Sequence, residues 1–257
     1  MPQTTTATAN KIAWVELSTP DAAAARDFYA KLFGWRVEVN PDPLYGGYAL
    51  AKVGDADVAG IGPKMSPQTP TAWGLYIGTD DVDALSKKIQ DAGGTIIAPA
   101  FDVGDQGRMA VFADPTGAIL SAWQAARMRN FLSGEPNTLA WAELNSRGLE
   151  RAIPFYEAVF GWTHKTSPFG EGQEYTEFQV DGESIAGALE MPPNIPAEVP
   201  SYWTVYFKAD DVDASFQKAI GLGGKEMLAP QDYPGGRFAI LSDPQGASFA
   251  LYTGGGL

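Results

Sequence analysis

Hydrophobic and polar residues alternate in two short segments, one near the start of the chain and one near its middle. IAWVEL at 12–17 and LAWAEL at 139–144 both predict β-strands, because successive side chains of a strand point to opposite faces. In the first segment Trp14 and Glu16 share one face, whereas Val15 lies on the other. The pattern predicts a strand with one apolar face and a Trp-x-Glu pair on the opposite face.

A helical period follows each of these strands. The first helix is predicted over AAAARDFYAKLF at 22–33, where Phe28 and Leu32 have core spacing. Asp21 is its predicted N-cap and Gly34 its stop. The second half repeats the pattern with four apolar residues ahead of a glycine, namely Leu149, Ile153, Val159 and Phe160 before Gly161. Short alternating segments separated by turn residues come next and predict strands.

The strand-and-helix pattern starts again inside each half. WGLYIGTDDVDALSKKIQDAGG from Trp73 and WTVYFKADDVDASFQKAIGLGG from Trp203 each read as a strand and a capped helix that ends in a glycine pair. Each quarter of the chain therefore reads β-α-β-β-β over roughly 50 to 60 residues, a length typical of supersecondary modules. We predict an α+β fold of four βαβββ modules.

Three sequence words occur twice, in the same order and at nearly the same separation. FYAKLFGW at 28–35 returns as FYEAVFGW at 155–162, DDVDA at 80–84 returns at 210–214, and DPTGA at 114–118 returns as DPQGA at 243–247. A repeat this long indicates duplication of a whole domain, since solenoid units recur every few tens of residues. The predicted organisation is a flexible tail over 1–10, a first domain over 11–125, a linker over 126–137 and a second domain over 138–254.

Charge and composition narrow the classes of partner. The chain has 31 acidic residues against 18 Lys and Arg, a net charge of -13, which repels nucleic-acid phosphates and anionic membranes. It has no cysteine, which excludes disulfides and zinc-thiolate sites. Its first ten residues lack the features of a signal peptide, and no apolar run approaches the roughly 20 residues of a membrane span. We expect a cytoplasmic monomer or homodimer that binds a small molecule, not nucleic acid or membrane.

The order of the motifs resembles that of a known superfamily. The chain resembles the vicinal oxygen chelate superfamily, which contains glyoxalase I, bleomycin-resistance proteins and extradiol dioxygenases. The resemblance rests on the order of its motifs: a strand, a helix ending in FYxxxFGW, DDVDA, a GR pair before a strand and a closing DPxGA. The resemblance covers nearly the whole chain and is greatest to two-domain glyoxalase-like proteins of actinobacteria, the group of a mycobacterial 27 kDa antigen. It implies two glyoxalase-like domains whose curved mixed sheets enclose cup-shaped cavities, with modules paired within or across the halves. It does not fix an activity.

The resemblance also indicates where a metal would be held. Catalytic members bind a divalent metal through His and Glu side chains, and the matching positions here are Trp14 and Trp141, Gly74 and Thr204, and Ser121 and Ala250. Divalent sites need imidazole or several convergent carboxylates, yet the single histidine, His164, is interpreted as a partly exposed loop residue. We expect no metal and no other cofactor, and keep a metal-dependent lyase or dioxygenase with non-standard ligands as an alternative.

Two carboxylates are the candidate catalytic groups. Glu16 and Glu143 occupy equivalent places, each two residues after a strand tryptophan. In an apolar cup, desolvation would raise the pKa of either carboxyl toward a value useful for acid-base work. The alternative is a structural carboxylate that pairs with Arg108 or Arg237, or that accepts backbone N–H groups.

The candidate ligand-binding residues lie around these carboxylates. Trp14 and Trp141 could stack on a flat guest, or belong to an ordinary core. Gly74 and Ser121 face one cup where Thr204 and Ala250 face the other, so the two cups should differ in shape and polarity. The hypothesis that follows is one bound ligand per chain. Arg108 and Arg237 either meet an anionic or carbonyl-bearing ligand or pair with the nearby Asp102 and Asp232.

The function predicted from the sequence is metal-independent binding of a small aromatic or oxygenated metabolite. Acid-base conversion by Glu16 or Glu143, such as dehydration, cyclisation or isomerisation, is its enzymatic form. The alternative is sequestration of a drug or natural product without catalysis. The sequence leaves open whether the protein is an enzyme.

Overall fold

The computed structural model describes residues 4–6, 9–127, 130–170 and 172–254. Two eight-stranded mixed sheets and four α-helices account for most of this part of the chain. Each sheet is built from one half of the sequence, so modules pair within the halves and not across them. The predicted α+β fold of four βαβββ modules is confirmed, and neither sheet closes into a barrel.

The first sheet has the strand order β3-β4-β5-β2-β6-β9-β8-β7. The elements of this half and of the connection to the next are β1 (Thr4–Thr6), β2 (Ile12–Thr19), α1 (Ala22–Phe33), β3 (Arg36–Val39), β4 (Ala49–Val53), β5 (Ala56–Pro63), β6 (Ala72–Gly78), α2 (Val82–Asp91), β7 (Thr95–Val103), β8 (Gly107–Ala113), β9 (Ile119–Ala125) and β10 (Asn130–Leu132). A 3-10 helix, Pro43–Tyr45, follows β3.

The second sheet repeats that order as β12-β13-β14-β11-β15-β18-β17-β16. Its elements are β11 (Leu139–Ser146), α3 (Leu149–Phe160), β12 (Thr163–Pro168), β13 (Glu174–Val180), β14 (Glu183–Glu190), β15 (Tyr202–Lys208), α4 (Val212–Gly221), β16 (Lys225–Tyr233), β17 (Gly236–Ser242) and β18 (Ser248–Gly254). Strands β2 to β9 therefore correspond in order to β11 to β18.

The helices begin where the sequence predicts, with one difference in capping. The Asp21 side chain accepts a hydrogen bond from the Ala24 amide at 3.0 Å, as expected of an N-cap. Helix α3 starts instead at Gly148, which has no side chain to offer. The carboxylate of Glu190 on β14 takes this role and accepts from the amides of Gly148 and Leu149 at 2.9 and 2.7 Å. The N-terminus of α3 is thus satisfied from a neighbouring strand.

Helices α1 and α3 lie between the two sheets. Helix α1 packs on its own sheet and also places Phe33 5.1 Å from Phe207 of the second sheet, ring centre to ring centre. Helix α3 belongs to the second half and contacts the first sheet, where the ring centre of Phe155 lies 6.3 Å from that of Phe112. One continuous apolar core therefore spans both domains.

The repeated words meet across this core. The Tyr29 hydroxyl, from the first FYxxxFGW, donates to Asp243 of the second DPxGA turn at 3.2 Å. The Tyr156 hydroxyl, from the second copy, donates to Asp114 of the first turn at 2.9 Å. Both aspartates are buried, and burial raises the pKa of both tyrosines, so the hydroxyls remain protonated donors. The contact has the reciprocity of a two-fold interface between identical chains.

The tryptophans that end the FYxxxFGW words form a second reciprocal pair. The Trp35 indole N–H donates to the carbonyl of Asn137 at 2.7 Å, and that of Trp162 donates to the carbonyl of Asn10 at 2.6 Å. Each tryptophan of one half thus fixes the chain just before the opening strand of the other half.

Parts of the predicted tail and linker pair with each other. Strand β1, within the predicted tail, pairs antiparallel with β10, within the predicted linker. Phe131 and Leu132 of β10 are buried, and the Phe131 ring packs edge-on against Trp14 at 5.9 Å. The remaining parts of the predicted tail and linker at 1–3, 7–8 and 128–129 lie outside the described residues. In the described part of the chain, no helix is long and apolar enough to span a membrane.

The interface predicts a measurable stability effect for Tyr29→Phe. The variant removes the donor to Asp243 and the acceptor for the Trp73 indole N–H, which lies 2.9 Å from the hydroxyl. We expect the free energy of unfolding in urea to fall by about 1–3 kcal/mol, because buried polar groups lose their partners. The control is Tyr202→Phe at a side chain that is 38% exposed, with an expected change within about 0.5 kcal/mol. Equal effects of the two variants would contradict the role of the Tyr29 contact.

Candidate functional site

The cup of the first domain holds a cavity of about 620 Å³. Its walls are mainly apolar, with Val39, Leu44, Met65, Phe101, Met109 and Trp123 among the lining residues. Ligand pockets in proteins commonly have volumes of about 300–1,000 Å³ and similar linings. The cavity is therefore large enough for a molecule of several rings.

Strand β2 carries the predicted Trp-x-Glu pair to this cavity. Trp14 and Glu16 both line it, whereas Val15 and Leu17 on the opposite face are buried in the core beneath the helices. The predicted division of the strand into two faces is therefore observed. Glu16 is accessible only in part, through the cavity.

The partners of Glu16 are tyrosines and not arginines. The hydroxyls of Tyr48, just before β4, and of Tyr76, on β6, lie beside its carboxyl group and favour the ionised form. Burial is the dominant influence and raises the pKa of Glu16 above its ordinary value of 4.5, against the opposite influence of the two hydroxyls. Burial and the neighbouring Glu16 charge also raise the pKa of both tyrosines, so they act as protonated donors. The site can hold, give or accept one proton at Glu16.

Further groups fix the tyrosines. The Trp14 indole N–H donates to the Tyr48 hydroxyl at 3.1 Å, and Ser121 hydrogen-bonds to Tyr76. Gly60, opposite Glu16 on β5, permits the close approach of Tyr48, because a Cβ atom there would lie 2.0 Å from the tyrosine hydroxyl. Trp14 is itself 1% exposed and packs against Phe131, so its main contribution is to position Tyr48 and close the floor.

The second domain contains a copy of this network. Tyr206 donates to the Glu143 carboxyl at 2.9 Å, and the Trp141 indole N–H donates to the Tyr175 hydroxyl at 2.8 Å. The Asn145 amide lies 3.5 Å from Glu143 and also donates to Thr204 at 3.3 Å. Burial raises the pKa of Glu143 as it does that of Glu16.

Aromatic side chains occupy the cup above Glu143. Phe238 packs against Tyr206 and Tyr233, with ring centres 6.5 and 5.9 Å apart, and Tyr233 packs against Tyr252 at 6.0 Å. The strand registers place Phe238 where the first domain has Met109, and Tyr233 where it has Val103. Larger side chains thus stand at these positions in the second cup, and Glu143 is only 6% exposed.

The remaining positions predicted to face the cups differ in accessibility. Ser121, Thr204 and Ala250 are buried, at 7%, 4% and 0% exposure, and Gly74 is half-buried opposite Glu16. Ser121 and Thr204 therefore act on the networks around the two glutamates, not on open space. Trp141 lines a separate cavity of about 390 Å³ at the junction with Lys11 and Phe131.

Both predicted arginines lie in surface ion pairs. Arg108 contacts Asp83 at 3.0 Å and Asp102 at 2.9 Å, and Arg237 contacts the equivalent Asp213 and Asp232 at 2.6 and 2.8 Å. Arg108 is not among the residues that line the 620 Å³ cavity. The geometry therefore favours the pairing alternative over ligand binding for these residues.

The donor groups of the cup do not fit a divalent metal. Among the described residues, no three His, Asp or Glu side chains converge as a metal site. His164 lies on β12, not in a loop, and its Nδ1 atom is 2.7 Å from the carboxylate of Glu157 on α3. The floor offers one carboxyl group, two phenols and an indole, which is a poor set for the metals that prefer imidazole or several carboxylates.

Sequence reasoning did not identify the tyrosines. Tyr48 precedes β4 and Tyr76 lies on β6, so their approach to Glu16 depends on strand order and register. The duplication contains a signal for them, because Tyr175 and Tyr206 stand at the equivalent places. A comparison of all residues shared by the halves would have found both pairs.

The fold and site define a class of protein: a duplicated α+β protein of glyoxalase-like fold, with two sheets curved around cups. The Glyoxalase/Bleomycin resistance protein/Dioxygenase superfamily model matches residues 11–121 and 138–251. The chain belongs to this superfamily.

Two relatives are similar over nearly the whole chain. The protein named "Putative glyoxylase CFP32" of Mycobacterium tuberculosis (strain CDC 1551 / Oshkosh) is 44% identical over 245 residues, covering 93% of this chain and 92% of the relative. "Anthracycline biosynthesis protein DnrV" of Streptomyces peucetius is 36% identical over 254 residues, covering 93% and 91%. The Mn(II)-bound glyoxalase from Novosphingobium aromaticivorans has a TM-score of 0.63 at 18% identity, covering 97% of this chain and 83% of that one, which shows a shared fold.

The raised pKa of Glu16 predicts a pH-dependent stability difference. Because the folded state holds this proton more tightly than the unfolded state, wild-type stability should decline as the pH rises from about 4.5 through the folded-state pKa. Glu16→Gln cannot ionise at this position. Its free energy of unfolding should therefore increase relative to that of the wild type as the pH rises through this range, and the difference should stay constant at lower pH. Urea unfolding at pH 4, 6 and 8 measures the difference.

A second variant should change the dependence of unfolding free energy on pH in the direction opposite to Glu16→Gln. Tyr76→Phe removes a hydroxyl that lowers the pKa of Glu16, so its loss of stability with rising pH should be steeper than in the wild type. Parallel pH profiles for wild type and Glu16→Gln would show that the Glu16 pKa is not raised.

Proposed function

We propose that the first-domain cavity binds a small, flat, aromatic and oxygenated molecule and that Glu16 transfers a proton on it without a metal. The observation that carries this proposal is a carboxyl group of raised pKa between two tyrosine hydroxyls, on the floor of an apolar cavity. Perturbed carboxyls in such surroundings are suited to general acid-base work.

The lining supports an aromatic ligand. Leu44, Met65 and Phe101 offer apolar and polarisable contacts for a flat ring system, and the volume of about 620 Å³ suits a molecule of several rings. The name of the Streptomyces peucetius relative refers to anthracycline biosynthesis. An aromatic, oxygenated ligand would be of the same chemical kind.

The proposed chemistry needs one proton-transfer group and two hydrogen-bond donors. Glu16 would remove a proton from a carbon next to a carbonyl, or give one to a departing hydroxyl. The hydroxyls of Tyr48 and Tyr76 would stabilise the carboxylate when it forms, or donate to a ligand oxygen as negative charge develops there. Isomerisation, cyclisation and dehydration all use these steps.

We assign the proposed reaction to Glu16 and a structural role to Glu143. The two carboxyls have similar partners, but the cup above Glu143 is occupied by Tyr233 and Phe238. A buried carboxyl held by Tyr206 and Asn145 can stabilise the sheet without meeting a ligand.

Sequestration without catalysis is the second candidate function. It is favoured by the apolar cavity itself, which would hold an aromatic drug or natural product with no chemical step. Both functions need the apolar cavity walls for binding. Only the enzymatic function needs Glu16 to transfer a proton.

Glu16→Gln separates these functions. Binding of a panel of hydroxyaryl ketones and hydroxyquinones is measured by quenching of tryptophan fluorescence, and conversion by chromatography and by hydrogen-deuterium exchange in D2O. For an enzyme, we expect the Kd of the variant to stay within about threefold and turnover or exchange to fall about 10²- to 10⁴-fold.

The matched control is Glu143→Gln, which should leave binding and turnover unchanged. A Glu16→Gln variant with full turnover would remove Glu16 from the reaction. Tight binding by the wild type with no conversion or exchange for any bound compound would instead favour sequestration.

The difference between the cups predicts one ligand per chain. Titration calorimetry with the tightest compound of the panel should give a stoichiometry near one, because Tyr233 and Phe238 occupy the second cup. Two equal sites per chain would contradict the proposed division between the domains.

A further inference from the structure

The first-domain cavity has one cationic side chain at its edge. Among the described residues that line the cavity, Lys64 alone is a lysine, arginine or histidine. It follows directly after Pro63 at the end of β5, is half-buried, and forms no ion pair in the described part of the chain. Its backbone amide is fixed by a hydrogen bond to the carbonyl of Thr19 at 3.1 Å.

The acidic groups of the cavity do not neutralise this lysine. Glu38 at the rim is engaged by Arg36 and lies 3.7 Å from Lys52, which compensates its charge. Burial favours the neutral form of Glu16 on the floor. In a chain of net charge -13, an unpaired cation against an apolar cavity is therefore a local feature that contrasts with the rest of the surface.

The separation between Lys64 and Glu16 suits an elongated molecule. Glu16 is paired with Gly60 on β5, and Lys64 lies four residues further along the same segment. At about 3.3 Å per residue, the backbone of Lys64 is roughly 13 Å from that of Gly60. Val39, Leu44 and Met65 also line the cavity and are 49%, 74% and 71% exposed, so a ligand end at the mouth meets apolar residues and one ammonium group.

We propose that the ligand is an anionic, elongated aromatic molecule whose carboxylate or ionised phenol pairs with Lys64 at the mouth while its ring system extends toward Glu16. This inference rests on the proposed function, because it adds a charge and an orientation to the same ligand. Lys64 is the residue that selects anionic over neutral aromatic molecules.

Two fluorescent probes with one skeleton test this selection. The anionic 8-anilinonaphthalene-1-sulfonate and the uncharged N-phenyl-1-naphthylamine differ by the sulfonate group, and both become fluorescent in apolar surroundings. Lys64→Met keeps most of the length of the side chain and removes its charge. We expect the Kd of the sulfonate to rise about three- to tenfold, an effect that falls with added salt, and the Kd of the neutral probe to stay within about twofold.

Two variants control for the location of the charge. Lys87→Met removes an exposed lysine of helix α2 that does not line the cavity, and should leave both probes unchanged. Leu44→Lys, at a 74% exposed rim position, should restore sulfonate binding when added to Lys64→Met. Unchanged sulfonate affinity in Lys64→Met, with the neutral probe still bound, would overturn the inference and leave the proposed function standing.

A filled cavity distinguishes the failure of the proposed function itself. The double variant Val103→Tyr/Met109→Phe copies the side chains that occupy the second cup, which the same fold accommodates. It should weaken both probes. If both bind it as tightly as the wild type, neither occupies the first-domain cavity, and the inference and the proposed function fail together.

Discussion

The buried contact between the helix tyrosine of one half and the DPxGA aspartate of the other holds this molecule in its arrangement. Each aspartate also accepts hydrogen bonds from its own turn, as Asp243 does from the amides of Gln245 and Ala247. Tyr29 therefore donates its hydrogen bond to a turn of the other domain that is already held by its own hydrogen bonds. Because α1 and α3 are held between the sheets, the opposite faces of the sheets are free to form cups. The position of the 620 Å³ cavity is a consequence of that contact.

Duplication constrains the interface and the cups differently. A reciprocal interface needs both copies of each word, since a change in one Tyr-Asp contact leaves buried polar atoms without partners. The cups face away from this interface, and each can change without affecting the other. The first has Val103 and Met109 in the lining of an open cavity, whereas the second has Tyr233 and Phe238 packed together. The second cup therefore presents more aromatic surface around its carboxyl, while the carboxyl of the first cup is partly accessible.

Local patterns predicted the elements, and long-range contacts account for what they missed. The face of Trp14 and Glu16 and the cap at Asp21 follow from periodicities of a few residues, which a sequence displays directly. The choice of Tyr48 and Tyr76 as partners of Glu16, over Arg108, depends on strand order and register across three strands. The burial of Phe131 in a stretch that reads as a linker depends on a surface formed by another segment. Such contacts join residues that are far apart in the chain, so no periodic pattern of neighbouring residues indicates them.

The proposed ligand charge and the pKa of Glu16 act in the same direction. A ligand that fills the cavity displaces water from the Glu16 carboxyl, and desolvation already raises its pKa. An anionic ligand group at the mouth would repel the ionised form of Glu16 and so favour the neutral form further. Pairing with Lys64 would cancel part of this field. Neutral Glu16 would then be the form that meets the bound ligand, which favours a reaction that begins with proton donation to oxygen over one that begins with removal of a proton from carbon.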